Sequence, residues 1–376
     1  MLTIEILLAI YVFARAILPL RLRFRWKALL TVPLLVAAFK FHLLRLIGGP
    51  LFYAPDLPDA VMLASAWLFG TLLVFAAMLL VADLTGLLLR LASRKFRNRD
   101  ENTRARRNRL NLALLLPAMA LTTIGMIEGL ALPEVRETTV VLPSLPDADD
   151  GFTVAVLADT HFDGMTEPER VREIVERTNA LKPDLIVIVG DFADGPVERR
   201  GEQLRPLAGL SAKYGVYGVP GNHEYYNGYE KWMQHLSGLG IRMLLNEHVT
   251  IADGTIVLGG VTDPMARRWN LELPSIRKAF EGAPPDAFKI LLCHRPQYTE
   301  LADEYGVALQ ISGHTHGGMI LGLNLLVAMT NGGFASGLYH VGGTALFVSN
   351  GAGIWSGFPL RFGIPSEIAL LRLRRR

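Results

Sequence analysis

The sequence predicts two classes of structure in one chain: an α-helical membrane unit of about four spans over residues 1–132, then an α/β layered domain over residues 151–376, with mixed β-sheets flanked by helices. Three observations carry this. Hydrophobic residues make up 51% of the chain and mean hydropathy is +0.30, above the composition of an ordinary soluble domain. Nearly all of that excess lies before residue 133. From Gly151 onward, short β-branched runs alternate with amphipathic stretches, the pattern of strands and helices packed in layers.

Four segments approach the roughly 20 apolar residues that cross a hydrocarbon core: Leu2–Leu20, Ala28–Ile47, Val61–Leu91 and Leu110–Leu132. The third and fourth are strong, with runs such as Leu72–Leu80. The first carries Glu5 and Arg15 near its ends, where long side chains can reach the interface. The second is interrupted by Lys40, His42 and Arg45, read as interfacial anchors or pairing groups. No small-residue cleavage site follows the first segment, so it does not read as a signal peptide.

Orientation follows from the loops. Arg21, Arg23, Arg25 and Lys27 fill the first connection. Arg94, Lys95, Arg97, Arg99, Arg104, Arg106, Arg107 and Arg109 fill the third, against Asp100 and Glu101. Lys/Arg bias places both loops in the cytoplasm, so the fourth span runs outward and everything after Pro133 lies on the extracytoplasmic face. The net charge is only +3. No basic stripe interleaved with aromatics occurs in residues 151–376, so nucleic acid is not the expected partner; the lipid bilayer is. The single cysteine, Cys293, excludes an intramolecular disulfide and a multi-cysteine zinc cluster. At the end of an apolar strand it reads as a buried small hydrophobe.

Residues 133–150, with prolines and an acidic end, read as linker and first edge of the next domain. Strands are expected at Phe152–Ala158, Leu185–Val189, Val216–Val219, Thr255–Val261, Lys289–Leu292 and Ala308–Ile311. Thr166-Glu167-Pro168-Glu169 reads as a capping box opening a helix to about Leu181, and Tyr229–Leu239 as a second helix. A glycine-rich, strand-like stretch runs from Gly332 to Gly357.

Ligands of α/β domains bind past the carboxyl ends of strands, and metal-binding residue types fall there. Asp159 and His161 follow the first strand and Gly190-Asp191 the second. Gly221-Asn222-His223-Glu224 follows the third, His294 a later one, and Gly313-His314-Thr315-His316 the strand ending at Ile311. Singly, each is an ordinary polar turn. Together they place five successive strand ends at one edge. His235, His248 and His340 fit no motif and read as surface or packing residues, with His340 the best placed of the three for substrate.

In this order the motifs resemble the calcineurin-like metallophosphoesterase superfamily: Asp-x-His, Gly-Asp-x-x-Asp, Gly-Asn-His-Glu, a lone His, then Gly-His-x-His. The resemblance covers about residues 151–376 and implies a metal-dependent phosphoric ester hydrolase with two divalent ions. It implies Asp159, His161 and His316 on one ion, Asn222, His294 and His314 on the other, and Asp191 bridging both. Carboxylate and imidazole suit Mn, Fe or Zn. The resemblance further implies that His223 acts on the phosphoryl oxygens or the leaving group, and that Asp194 and Glu224 orient the imidazoles.

The tail, Ser349-Asn350-Gly351-Ala352-Gly353 with Pro359-Leu360-Arg361 and Pro365-Ser366-Glu367-Ile368, looks like a bacterial branch of membrane-associated or exported phosphoesterases. Some members of that branch act on phospholipid-like or nucleotide-linked lipid substrates; with the topology above, the expectation is a multi-pass protein of the bacterial inner membrane acting on a phosphodiester or a lipid-linked phosphate or pyrophosphate. A UDP-diacylglucosamine-type pyrophosphatase belongs to that branch, but its substrate is cytoplasmic, against the topology above. A non-catalytic sensor or scaffold is the competing class; all expected ligand positions being filled favours the enzyme.

Overall fold

The computed structural model describes residues 2–48, 55–92, 101–353, 355 and 357–375. Residues 94–99 of the basic loop lie outside them. The chain divides into two compact units, Met1–Glu128 with Ser356–Leu360, and Gly129–Trp355 with Arg361–Arg376.

The first unit is helical: α1 (Leu2–Val12), which continues as a π turn through Ile17, α2 (Phe24–Ala38), α3 (Lys40–Gly48), α4 (Asp59–Ala92) and α5 (Glu101–Leu130). Two helices, α4 and the Arg106–Leu130 part of α5, are long and apolar enough to cross a membrane. These are two of the four expected spans. With its π turn, α1 runs from Leu2 to Ile17, roughly 24 Å at 1.5 Å per residue, shorter than a ~30 Å bilayer core. The second segment bends by 73° between α2 and α3, so it counts at most as one broken span. The break falls where Lys40 begins the polar half. Lys40 is buried, and its Nζ donates to Gly357 O at 2.8 Å.

Ala9, Val12, Leu34, Ala38, Leu72, Phe75, Leu79 and Ala118 form this unit's core. A polar cluster also ties it together. Arg15 Nε donates to both Asp83 oxygens at 2.7 and 2.9 Å, and its Nη1 donates to Asn111 Oδ1 at 2.6 Å. Asn111 Nδ2 returns a bond to Arg15 O, and Tyr11 donates to Asp83. Residues 357–360 pack in this unit, with Phe358 edge-on to Phe69 at 6.1 Å.

The second unit is α/β. Its elements begin with β1 (Glu134–Val141), β2 (Thr153–Leu157), α6 (Pro168–Ala180), β3 (Leu185–Val189), α7 (Val197–Arg200), β4 (Val216–Val219), α8 (Asn222–Tyr226) and α9 (Tyr229–Gly238). Then come β5 (Arg242–Met243), β6 (Glu247–Ile251), β7 (Ile256–Gly260), α10 (Ile276–Ala279), β8 (Phe288–Leu292), α11 (Thr299–Glu304) and β9 (Leu309–Ser312). The last are α12 (Leu323–Thr330), β10 (Gly337–Val341), β11 (Thr344–Val348) and β12 (Glu367–Arg374).

Among the described residues the strands make two six-stranded mixed sheets, ordered β1-β12-β2-β3-β4-β5 and β10-β11-β9-β8-β7-β6. Strand alternation sets the layers. Val154, Val156, Leu185, Val187 and Val189 meet Ile256, Leu258, Ile290, Leu292, Leu309 and Ile311 between the sheets. The opposite faces, Ala155, Leu157, Ile186 and Ile188, meet Val171 and Ile174 of α6 and Trp232 of α9. Beyond the other sheet, Val257 and Leu291 pack on Ile276, Phe280 and Ala302. Helices thus cover both outer faces.

Within residues 133–150, read as linker and first edge, Glu134–Val141 form the edge strand β1, paired in parallel with β12 along its length. One local expectation is corrected. Thr166 does not cap a helix: α6 starts at Pro168 with Glu167 as an N-cap that makes no side-chain bond. The Thr166 hydroxyl is spent on Asp163, accepting from its backbone N–H and donating to its carboxylate, both at 3.1 Å.

Candidate metal centre

The strands that carry the motif are buried on both faces, so polar side chains can gather only at their ends. Asp159 and His161 follow β2, Asp191 and Asp194 follow β3, and Asn222–Glu224 open α8 after β4. His294 follows β8, and His314 and His316 follow β9. The single edge of five strand ends is therefore made by two sheets, three strands from one and two from the other.

The backbone there is unusual. Asp159, His161, Asp191, His314 and His316 have φ of 49, 43, 52, 70 and 50°. Positive φ in such residues costs on the order of 1 kcal/mol or more each and persists only where the surroundings over-determine it. The strain turns five side chains inward. Gly190, at φ +77°, lets two loops meet, since a Cβ on it would collide with the His294 ring and the Gly221 backbone.

Asp191 lies in the middle. Its Oδ2 is 3.3 Å from His294 Nε2, 3.7 Å from His161 Nε2 and 4.0 Å from His223 Nε2. Asp159, His161 and His316 form one group of converging donors, and Asp191, His294 and His314 another, with ligand atoms in each group within 4.8 Å of one another. His161, Asp194 and His223 form a third grouping that overlaps the first. Asn222 is buried beside the second group, its Oδ1 3.5 Å from Arg295 Nη2.

Hydrogen bonds fix which nitrogens face the centre. His161 Nδ1 lies 3.2 Å from Asp194 Oδ2, and His294 Nδ1 lies 2.9 Å from Val189 O. With those acceptors taken by Nδ1–H, the Nε2 lone pairs of both rings point inward. Each meets another imidazole nitrogen, His316 Nε2 at 3.0 Å and His314 Nδ1 at 3.3 Å. The Asp194 carboxylate also bonds His223 Nδ1 through its other oxygen. Facing ring nitrogens around a central carboxylate fit a pair of divalent cations that favour mixed N/O ligands.

Glu224 does not orient an imidazole. Its carboxylate accepts from the N–H groups of Asp191, Phe192 and Gly221 at 3.0, 2.8 and 2.8 Å, so it ties the β3 and β4 loops together.

The charges follow from these contacts. Burial opposes ionisation of Asp191 and Asp194, but the surrounding imidazoles outweigh it and hold both carboxyls well below the usual range. Burial likewise opposes charge on His223 and His294, yet the neighbouring aspartates raise them to about 9 and about 10. His314 and His316 are held well below the usual imidazole value, first by burial and then by adjacent positive groups. Burial pushes Asp159 up to about 6 and Glu224 up to about 7.

Two residues outside the expected set shape the centre. Arg295, directly after His294, is held by Asp263 at 2.8 Å and reaches His314 Nε2 at 3.3 Å. Its place beside the lone histidine was the only signal in the sequence. Arg361, from the tail motif, is fully buried and donates to the carbonyls of His316, Ile364, Asn350 and Gly353. The tail loop also bonds the first motif, Ala352 N to Ala158 O and Gly353 N to Asp159 O.

The remaining histidines stand apart from these donor groups. His235 bonds Gly201 O, His248 bonds Ala279 O and stacks on Phe280, and His340 is exposed on β10. Cys293 is buried, and burial pushes its thiol up to about 12.

Comparison with known proteins agrees with this geometry. Residues 152–318, which hold all of these ligand loops, match the family model for calcineurin-like phosphoesterases. An uncharacterized metallophosphoesterase of Helicobacter pylori is 39% identical over 269 residues, 71% of each chain. A transmembrane protein with metallophosphoesterase domain from Danio rerio is 32% identical over 275 residues, 70% of this chain and 62% of its own. An uncharacterized metallophosphoesterase of Bacillus subtilis is 29% identical over 64% of this chain and 85% of its own. The motif residues gathered at two sheet edges and the extent of these matches lead to one conclusion: this chain belongs to the calcineurin-like metallophosphoesterases, a family of phosphoric ester hydrolases.

Proposed function

We propose that the protein is a membrane-anchored phosphoesterase that cleaves a phosphodiester, or a lipid-linked phosphate or pyrophosphate, with water activated by two divalent cations, Mn, Fe or Zn. The observation that carries this reading is the position of Asp191 Oδ2, 3.3 Å from His294 and 3.7 Å from His161, so that one carboxylate serves both donor groups. Asp159, His161 and His316 would hold one cation and Asn222, His294 and His314 the other, with Asp191 within reach of both groups. Cations so held would supply Lewis acidity, lowering the pKa of water and clamping attacking and leaving oxygens.

The protein's own groups do the rest. His223 bonds Asp194 through Nδ1 and would carry on Nε2 the proton for the leaving oxygen. Its side chain is 13% exposed against 1% for His161, so of the two imidazoles on Asp194 it is the one substrate can reach. Arg295, fixed by Asp263, sets a planar cation beside Asn222 and His314, suited to phosphoryl oxygens.

The chelated and reloaded full-length protein, assayed on a panel of phosphoesters, tests this reading. Two bound equivalents and restored hydrolysis are expected; a single equivalent at full activity would sink the two-cation centre. The basic loop supports a catalytic unit on the extracytoplasmic face of a bacterial inner membrane. A reporter active only outside the cytoplasm should be on when fused after Arg376 and off within residues 94–109; reversed signals would instead favour the cytoplasmic UDP-lipid pyrophosphatase.

A further inference from the structure

In α12 the usual surface pattern is inverted. The outer face of α6 is charged, with Glu169, Arg172, Glu173 and Glu176 exposed and Val171, Ile174 and Val175 buried. No residue of α12 is buried. Leu325, Leu326 and Met329 are 68, 60 and 79% exposed, and Leu321 and Phe362 beside them are 70 and 41% exposed. Soluble surfaces rarely carry such a contiguous apolar patch without a partner.

The chemistry of the segment names the partner. Between Glu304 and Arg361 the chain has no Asp, Glu, Lys or Arg, so moving this surface out of water strips no formal charge. Three polar side chains of α12 and its C-terminal end bond within the segment. Asn324 Oδ1 accepts from Gly322 N, Thr330 donates to Val327 O, and Asn331 Nδ2 donates to Val327 O and Thr330 Oγ1. Internal satisfaction of polar groups is what a hydrocarbon environment demands.

The covalent chain tethers the α/β unit closely to α5. Only Ala131, Leu132 and Pro133 separate α5 from β1, a reach of roughly 10 Å. Arg170 donates to Leu130 O and Ala131 O, and Arg177 to Pro133 O. The patch is also built on the metal loop. Phe362 N donates to Met319 O and Leu321 N to Phe362 O, just past His316.

We propose that α12, with Leu321 and Phe362, inserts into the headgroup–acyl boundary of the membrane that anchors the protein, and sets the mouth of the centre against lipid-borne phosphoesters. The proposal rests on the membrane-anchored reading above, but its main test needs no turnover. Full-length protein carrying Leu325→Cys or Met329→Cys, labelled with an environment-sensitive fluorophore, is reconstituted in phosphatidylethanolamine/phosphatidylglycerol vesicles; Cys293 is buried and stays unlabelled. Both labels should be quenched by lipids brominated on their acyl chains, and not by aqueous iodide. A label at Arg205→Cys, on the exposed surface beside α6, should show the reverse. Iodide quenching at 325 equal to that at 205 would overturn the proposal. So would shielding without bromolipid quenching that deepens with protein density, which would assign the patch to a second copy of the chain. As a second arm, Leu325→Lys with Leu326→Lys should lower hydrolysis of a vesicle-borne phosphoester roughly tenfold, from lost apolar burial, with a small soluble ester unaffected. An inactive wild type with bromolipid-quenched labels would refute the enzymatic reading and leave the insertion standing.

Discussion

The Arg15–Asp83–Asn111 cluster of the helical unit and the histidine–aspartate centre of the α/β unit are both largely buried and polar, and they differ in where their bonds end. In the first, charge meets opposite charge: a guanidinium bonds a carboxylate and an amide, and the amide bonds back to Arg15 O. In the second, Nε2 atoms of like kind face each other at 3.0 Å around a shared carboxylate, on a backbone forced to positive φ. A network closed on itself holds helices together. A network whose lone pairs converge is arranged for something it does not itself contain.

Substitutions in the two clusters should therefore fail differently. The largest effect is expected from Asp191→Asn, which removes the carboxylate common to both donor groups. Metal analysis should find both sites weakened and hydrolysis lost; two tightly held equivalents with normal turnover would dissolve the contrast. His223→Ala should lower turnover by roughly 10²–10⁴-fold, the range of a positioned acid, with metal content near that of wild type. Parallel loss of metal would move His223 into the ligand set.

Arg295→Lys keeps the charge and loses the planar fork. We expect KM to rise by roughly tenfold with metal content unchanged, since a point charge recognises phosphoryl oxygens less well than a bidentate one. The smallest effect belongs to the closed cluster. Asn111→Ala should lower stability of the helical unit in detergent by about 1–2 kcal/mol and leave turnover of a small soluble ester unchanged. A change in kcat there would mean that the two clusters are not separable.

The parts legible in the sequence were those that announce themselves locally. β3 reads from Leu185–Val189 alone because both its faces are buried. The ligand residues read because they interrupt such runs at their ends. β1 is only partly legible, because it lies at a sheet edge with nearly every residue exposed, and Glu134, Arg136 and Glu137 give it the look of a linker. Thr166 was misread because a hydroxyl can serve a turn as readily as a helix end. Two of the four expected spans are legible as straight helices; the second is not, because hydropathy measures composition and not straightness, and Lys40 sits at a bend that no average reveals. Arg361 was visible as a motif but its use was not, since the carbonyls it holds include one as distant in sequence as His316.

The place of β12 has a consequence for how the protein is made. Residues 367–374 lie between β1 and β2, pairing with both, and the preceding tail loop bonds Ala158 and Asp159. Synthesis runs the other way, with β1 and β2 emerging long before β12. Until β12 arrives, the edges of β1 and β2 have no neighbour on that side, an invitation to wrong pairing. The Asp159 loop is then still without its cover. Long-range closure of this kind is slow, so a nascent chain stays incomplete at its metal-binding loops until β12 has emerged. Loss of a few residues from Glu367 onward would act on the ribosome as a folding defect, long before any assay could register it as a catalytic one.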